Sequence, residues 1–187
     1  MTVRREIEDS ARDFKNIVFP EIKHMLVNEE YGCEWASTEA CFGNRMATLL
    51  DIKAGVDSLI YGGGTGFQGI RFIATRVQWG ITYRTFTIRK ERFDGRRTEY
   101  EKYCSGIEHS FVYPYWFIQA YLTEKEGRLL EVGIAKVEDI VECIQREPEW
   151  LSVKKGPDAY FYVIPWDEFE LGWQRGGIRL DYSDSAL

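Results

Sequence analysis

Apolar residues recur at helical spacing near the start of the chain, where Ile7, Ala11, Phe14 and Val18 are followed, past Pro20, by Ile22, Met25 and Leu26. The spacing predicts an amphipathic helix that is kinked or restarted at the proline. Gly32 ends it, and the mixed stretch YGCEWASTEACFGN (31–44) reads as a loop with one short helical turn. Runs rich in β-branched and aromatic residues follow: MATLLDI (46–52), VDSLIY (56–61), GIRFIATRVQW (69–79) and ITYRTFTIRK (81–90). They are expected as consecutive antiparallel strands. Thr98 and Glu101 then form an S/T-x-x-E capping box, which starts a helix of about ten residues. YWFIQAYLT and RLLEVGIAK flank EKEG (124–127) as a hairpin, and VEDIVECIQ (137–145) places Val137, Ile140, Val141 and Ile144 on one helical face. FYVIPW (161–166) reads as a last strand and DYSDSAL as a frayed tail. This order predicts an α+β fold with a central mixed sheet flanked by helices.

Length adds a bound: 187 residues, 44% of them hydrophobic, suffice for one sizeable core, so residues 1–187 are read as a single domain. The longest apolar run, FVYPYWFIQAYL (111–122), is broken by Pro114 and Gln119 and falls short of the roughly 20 residues that span a bilayer. The charged N-terminus does not read as a secretory signal, and a cytoplasmic protein is expected. Cys33, Cys41, Cys104 and Cys143 are scattered without a C-x-x-C pair and are read as free thiols. His24 and His109 have no local partner pattern and receive no role.

Charge changes the picture more. The net charge is −6, yet residues 71–102 carry nine basic against four acidic side chains, a local +5 in an otherwise acidic chain. Such a block suits a nucleic-acid groove. The competing reading is a solvated strand face whose arginines pair with carboxylates elsewhere, and charge alone favours it. TFTIRK (85–90) alternates Thr85, Thr87 and Arg89 on one face, candidate phosphate contacts at a sheet edge. Arg71, Arg84, Thr87, Arg89 and Lys90 are the candidate nucleic-acid-binding residues, with DNA ranked ahead of RNA. Glu99 and Lys102 are read as cap and surface residues, and YPYWF (113–117) as core, with base stacking the alternative.

GTGFQG matches G-x-G-x-x-G at Gly64, Gly66 and Gly69, but IRFIATRVQW after it suits a strand, not the helix a dinucleotide site needs. A hairpin turn is the simpler reading. The hairpin would lay Asp57 roughly opposite Arg71, on a strand that continues with Ala74, Arg76 and Gln78 on one face.

A helix, three antiparallel strands, a helix and a strand, with Gly55-Val56-Asp57 opening the second strand, resemble the PD-(D/E)XK nuclease superfamily over about residues 5–135. Residues 136–187 would then form a C-terminal extension of a restriction-endonuclease-like α-β-β-β-α-β core. The resemblance implies that Asp57 binds a divalent metal, Mg²⁺ or Mn²⁺, which activates water against a phosphodiester. Ala74-Thr75-Arg76 stands where the family carries acid-x-Lys, leaving Gln78 as a neutral ligand and Arg76 as an electrostatic group. A second register uses Asp51-Ile52-Lys53 as an intact D-x-K, with Glu34 or Glu39 upstream. Both registers gather Asp51, Lys53 and Asp57 around a turn at Ala54-Gly55, so Asp57, Asp51, Lys53, Arg76 and Gln78 form the candidate catalytic set, with Asp57, Asp51 and Gln78 as metal ligands. The function expected is a metal-dependent nuclease or nuclease-derived protein. The alternatives are a nucleic-acid-binding module without catalysis and an acidic protein-interaction or inhibitory factor. A second copy or another protein is a further candidate partner.

Overall fold

The structure is a computed structural model that describes residues 3–26, 33–62, 69–172 and 178–181. The chain starts with α1 (Val3–Asp13), widens into a π-helical segment (Phe14–Val18) and continues as α2 (Phe19–Leu26). Pro20 causes no break. The wide turn lies immediately before it, with the Phe19 N–H bonding back to the Phe14 carbonyl, and so accommodates a residue without an N–H donor. Phe14, Val18, Phe19 and Ile22 turn inward from this helical arm.

Next come β1 (Cys33–Ser37), α3 (Thr38–Ala54), β2 (Ser58–Gly62), β3 (Gly69–Trp79) and β4 (Thr85–Arg92). Two expectations fail here. Residues 31–44, read as a loop, contain a strand and the start of a helix, and MATLLDI (46–52), read as a strand, is the second half of that helix. Short apolar runs fit either period, and Met, Ala and Leu favour the helix, where Met46, Leu49 and Ile52 recur every third residue on an exposed stripe.

The remainder is α4 (Glu99–Glu108), β5 (Trp116–Leu122), β6 (Leu129–Lys136), α5 (Val137–Gln145), β7 (Ser152–Lys155), β8 (Ala159–Pro165), α6 (Trp166–Gly172) and β9 (Ile178–Asp181). The capping box at Thr98 is formed in both directions, and α5 has the bounds its apolar face indicated. β7, α6 and β9 had no sequence reading. Of the last segment, DYSDSAL, residues 182–187 lie outside the described residues.

The strands form a mixed sheet in the order β1-β2-β3-β5-β6-β9 and an antiparallel sheet in the order β4-β8-β7. All neighbours in the first are antiparallel except β3 and β5, which run parallel from Ile73↔Trp116 to Trp79↔Leu122. β2 and β3 pair as the expected hairpin, with Gly62 opposite Gly69, while the turn with Gly64 and Gly66 lies outside the described residues. β4 is not the next strand of this meander: it leaves β3 and pairs with β8. The helical arm covers one face of the mixed sheet through Ile73, Val77, Ile118 and Val132. On the other face, Phe86, Phe117, Tyr121, Trp166 and Phe169 build a second core with α4 and α5. No helix among the described residues is long and apolar enough to cross a membrane.

Candidate functional site

β2 stops pairing with β3 at Ser58↔Ile73, which leaves the far half of β3 with an open edge on that side. Side chains take over the ladder. The Thr75 N–H donates to Asp57 Oδ2 at 2.9 Å, and the Val77 N–H donates to Ser10 Oγ of α1 at 3.3 Å. Further along, Trp79 Nε1 donates to Asp13 at 2.9 Å.

Asp57 is held there by its own backbone. Its N–H donates to Ile73 O at 3.1 Å, and its carbonyl accepts from the Thr38 N–H and hydroxyl at the start of α3. The residue is open to solvent. Its carboxylate is nevertheless crowded by protein atoms, and this burial, opposed by the Thr75 hydrogen bond and reinforced by the charges of Asp51 and Glu99, raises its pKa to about 7. Oδ1 has no hydrogen-bond partner among the described residues.

Beside Asp57 lies a polar cluster between the two sheets. Arg76 NH1 donates to Thr87 O at 2.7 Å and to Thr87 Oγ1 at 2.8 Å. The Thr87 N–H donates to Oε1 of Gln119, a fully buried residue paired with Arg76 on the neighbouring strand. Gln119 Nε2 donates to Gln78 and to the Tyr121 hydroxyl. On the α4 side, Arg89 NH1 meets Glu99 Oε1 at 2.5 Å, and Arg92 reaches the same oxygen at 3.3 Å. Burial pushes the Glu99 carboxyl up, but Arg76 and Arg89 outweigh it and hold it below the usual range. Burial lowers Arg76, despite the opposing charge of Glu99.

The candidate residues separate accordingly. Asp57, Asp51 and Arg76 share one electrostatic neighbourhood, and Thr87 and Arg89 adjoin it. Lys53 does not take part: it is exposed on the last turn of α3 with no ion pair or hydrogen bond among the described residues. The Ala54-Gly55 turn is the C-terminal cap of that helix, with Gly55 at φ 66° and its N–H bonded to Asp51 O. Gln78 stands three residues beyond Thr75, roughly 10 Å along the strand, and is engaged with Gln119. Arg71 stacks on Tyr115 at 4.1 Å, Arg84 is paired with buried Glu131, and Lys90 lies over Tyr162 on the face opposite Arg89. Of the basic block, Arg84, Arg89, Arg92 and Arg96 pair with carboxylates. Side chains of Glu39 and Cys41 lie outside the described residues.

Two participants were misread as surface groups. Glu99 is half-buried among arginines, and Lys102 is buried with Nζ donating to Asp51 O at 2.6 Å. The capping box was the available signal, because it puts residues 99 and 102 one turn apart on a single face of α4.

Among the described residues no three His, Cys, Asp or Glu side chains converge as a metal site. Asp57, with Oδ1 unbonded among the described residues, and Asp51, whose charge acts on it, are the two carboxylates here that could contribute to holding a cation. Comparison with known proteins returned no match to a family model, a curated protein or a solved structure.

Proposed function

We propose that this chain is a metal-dependent nuclease, or a protein derived from one, acting on nucleic-acid phosphodiesters at Asp57. The observation that carries the reading is the 2.9 Å contact from the Thr75 N–H to Asp57 Oδ2, which sets the carboxylate against Ala74-Thr75-Arg76. That is the relation between first acid and acid-x-Lys segment that the PD-(D/E)XK resemblance implies. A helical arm, antiparallel β1-β2-β3, then α4 and a strand parallel to β3 agree with the resemblance in part, while α3 between β1 and β2 and the departure of β4 to the second sheet are additions to that core.

Asp57 and Asp51 would hold Mg²⁺ or Mn²⁺. Such a cation neutralises phosphate charge and lowers the pKa of its water. Arg76 fixes a positive charge beside the scissile group, and Thr87 holds that guanidinium in place. Ala74 favours a second reading, in which the scaffold binds nucleic acid without cutting it, because its methyl group stands where the family has an acid.

The test is incubation of labelled single-stranded, double-stranded and branched substrates with the purified chain and Mg²⁺ or Mn²⁺. Cleavage that EDTA and Asp57→Asn both abolish supports the first reading. Metal-independent binding without cleavage selects the second. Lack of any affinity at low salt removes both.

A further inference from the structure

The β4-β8-β7 sheet carries a row, Arg89, Phe161 and Lys154, that the proposed reaction does not use. Phe161, in the middle strand, is the register partner of Arg89 on β4 and of Lys154 on β7. Side chains directly opposite one another share a face, so the row reads cation, ring, cation, with neighbours about 4.8 Å apart. The ring is half-buried and Lys154 is exposed. The guanidinium carbons of Arg76 and Arg89 lie 5.7 and 5.6 Å from the ring centroid. Arg76, whose charge also acts on Asp57, joins this row to the proposed phosphodiester site, and Arg89 is shared with the Glu99 and Asp158 carboxylates.

We propose that this face is a binding platform for single-stranded nucleic acid, with a base against Phe161 and the backbone tracked by Arg76, Arg89 and Lys154. An aromatic ring between fixed cations matches a strand whose bases are unpaired, because each base offers a π-face and each linkage a negative charge. A duplex keeps its bases stacked internally and cannot use the ring. The inference rests on the reading of Asp57 as a phosphodiester site, and it names the substrate class as single-stranded.

The experiment is fluorescence anisotropy of labelled oligothymidine, oligouridine and a duplex of equal length, with the full chain at low salt in EDTA. Single strands are expected to bind more tightly than the duplex. Phe161→Leu should weaken single-strand binding about tenfold or more and leave duplex binding unchanged. Lys154→Gln, at an exposed site with no folding risk, should lower the slope of log affinity against log salt by about one. Thymidine against uridine distinguishes DNA from RNA on the same platform. Equal affinity for duplex and single strand, or both variants binding as the parent does, would overturn the platform. Binding is read in EDTA and cleavage separately with Mg²⁺ or Mn²⁺, so cleavage that Asp57→Asn abolishes, with unchanged binding by Phe161→Leu and Lys154→Gln, defeats the platform alone. Weakened binding by those variants without any cleavage defeats the nuclease alone.

Discussion

Lys102, in the first turn of α4, donates from Nζ to the main-chain oxygen of Asp51 in the last turn of α3 at 2.6 Å. A buried cation thus meets the carbonyl end of a helix, where the helix dipole favours it. The Asp51 carboxylate is secondary: Oδ1 lies 3.8 Å away on an exposed side chain. This contact ties together the two helices that border Asp57.

Replacing Lys102 by Met keeps the aliphatic stem and removes the charge-assisted bond. A loss of about 1.5–3 kcal/mol is expected, visible in thermal melts as a fall of about 2–4 °C per kcal/mol. Asp51→Asn should change the melting temperature little, since the main-chain acceptor remains. A larger effect from Asp51→Asn than from Lys102→Met would contradict this account.

Gly55 presents its N–H to the same Asp51 oxygen at 3.0 Å, with φ 66°. A Cβ there would stand 3.0 Å from Tyr103 Cε1, a buried ring that has little room to move. Gly55→Ala is expected to cost about 1–2 kcal/mol from the left-handed backbone alone, with the ring contact adding to it. Urea denaturation should show a lower midpoint at unchanged slope.

The pH dependence follows from Asp57. Its folded pKa of about 7 lies above the ordinary 3.8, so between those values the folded state binds a proton that the unfolded state releases. Stability therefore falls as pH rises through that window and is level above it. Asp57→Asn retains an acceptor for the Thr75 N–H without the charge, so it should melt higher than the parent at about pH 8 and converge with it towards about pH 4. On the proposed reading of Asp57 as a metal ligand, cation binding has the opposite trend, because metal and proton would compete for the carboxylate. Calorimetric Mn²⁺ affinity of the parent should rise from about pH 6 to about pH 8.

Gln119 is fully buried and joins β5 to β4 through the Thr87 N–H at 3.0 Å. Gln119→Leu fills the space but orphans that donor, at a cost of about 1–3 kcal/mol. Amide hydrogen exchange should accelerate at Thr87, while that of Ile134 in the opposite core remains slow. Unchanged Thr87 protection would show that the inter-sheet bond contributes nothing.

Local signals were legible from the amino-acid order. The S/T-x-x-E box at Thr98, the apolar face of 137–145 and the strand spanning 69–79 all depend on residues within one turn or one pleat of each other. The 46–52 run was misread because seven residues of mixed Leu, Ile, Ala and Met satisfy both periods, and the helix propensity of Met, Ala and Leu was not weighed against the strand pattern. Of the candidate site, Asp57 and Arg76 were named through the resemblance to the PD-(D/E)XK superfamily, whereas Glu99 and Lys102 were not, since their partners lie on β4 and α3 and no local pattern links them.

The sequence by itself determined the α+β class, the β2-β3 hairpin, and the charge segregation of residues 71–102, because each rests on local period or composition; the register that sets Asp57 beside Thr75 and not opposite Arg71 came from the fold. Tertiary structure alone decided that β4 abandons β3 for β8, which lays Thr87 and Arg89 over Arg76. It also decided that β5 returns parallel to β3, which brings Gln119 beneath them. Strand partnership depends on which faces can be buried together across distant segments, and that balance is struck only when both cores close around the mixed sheet.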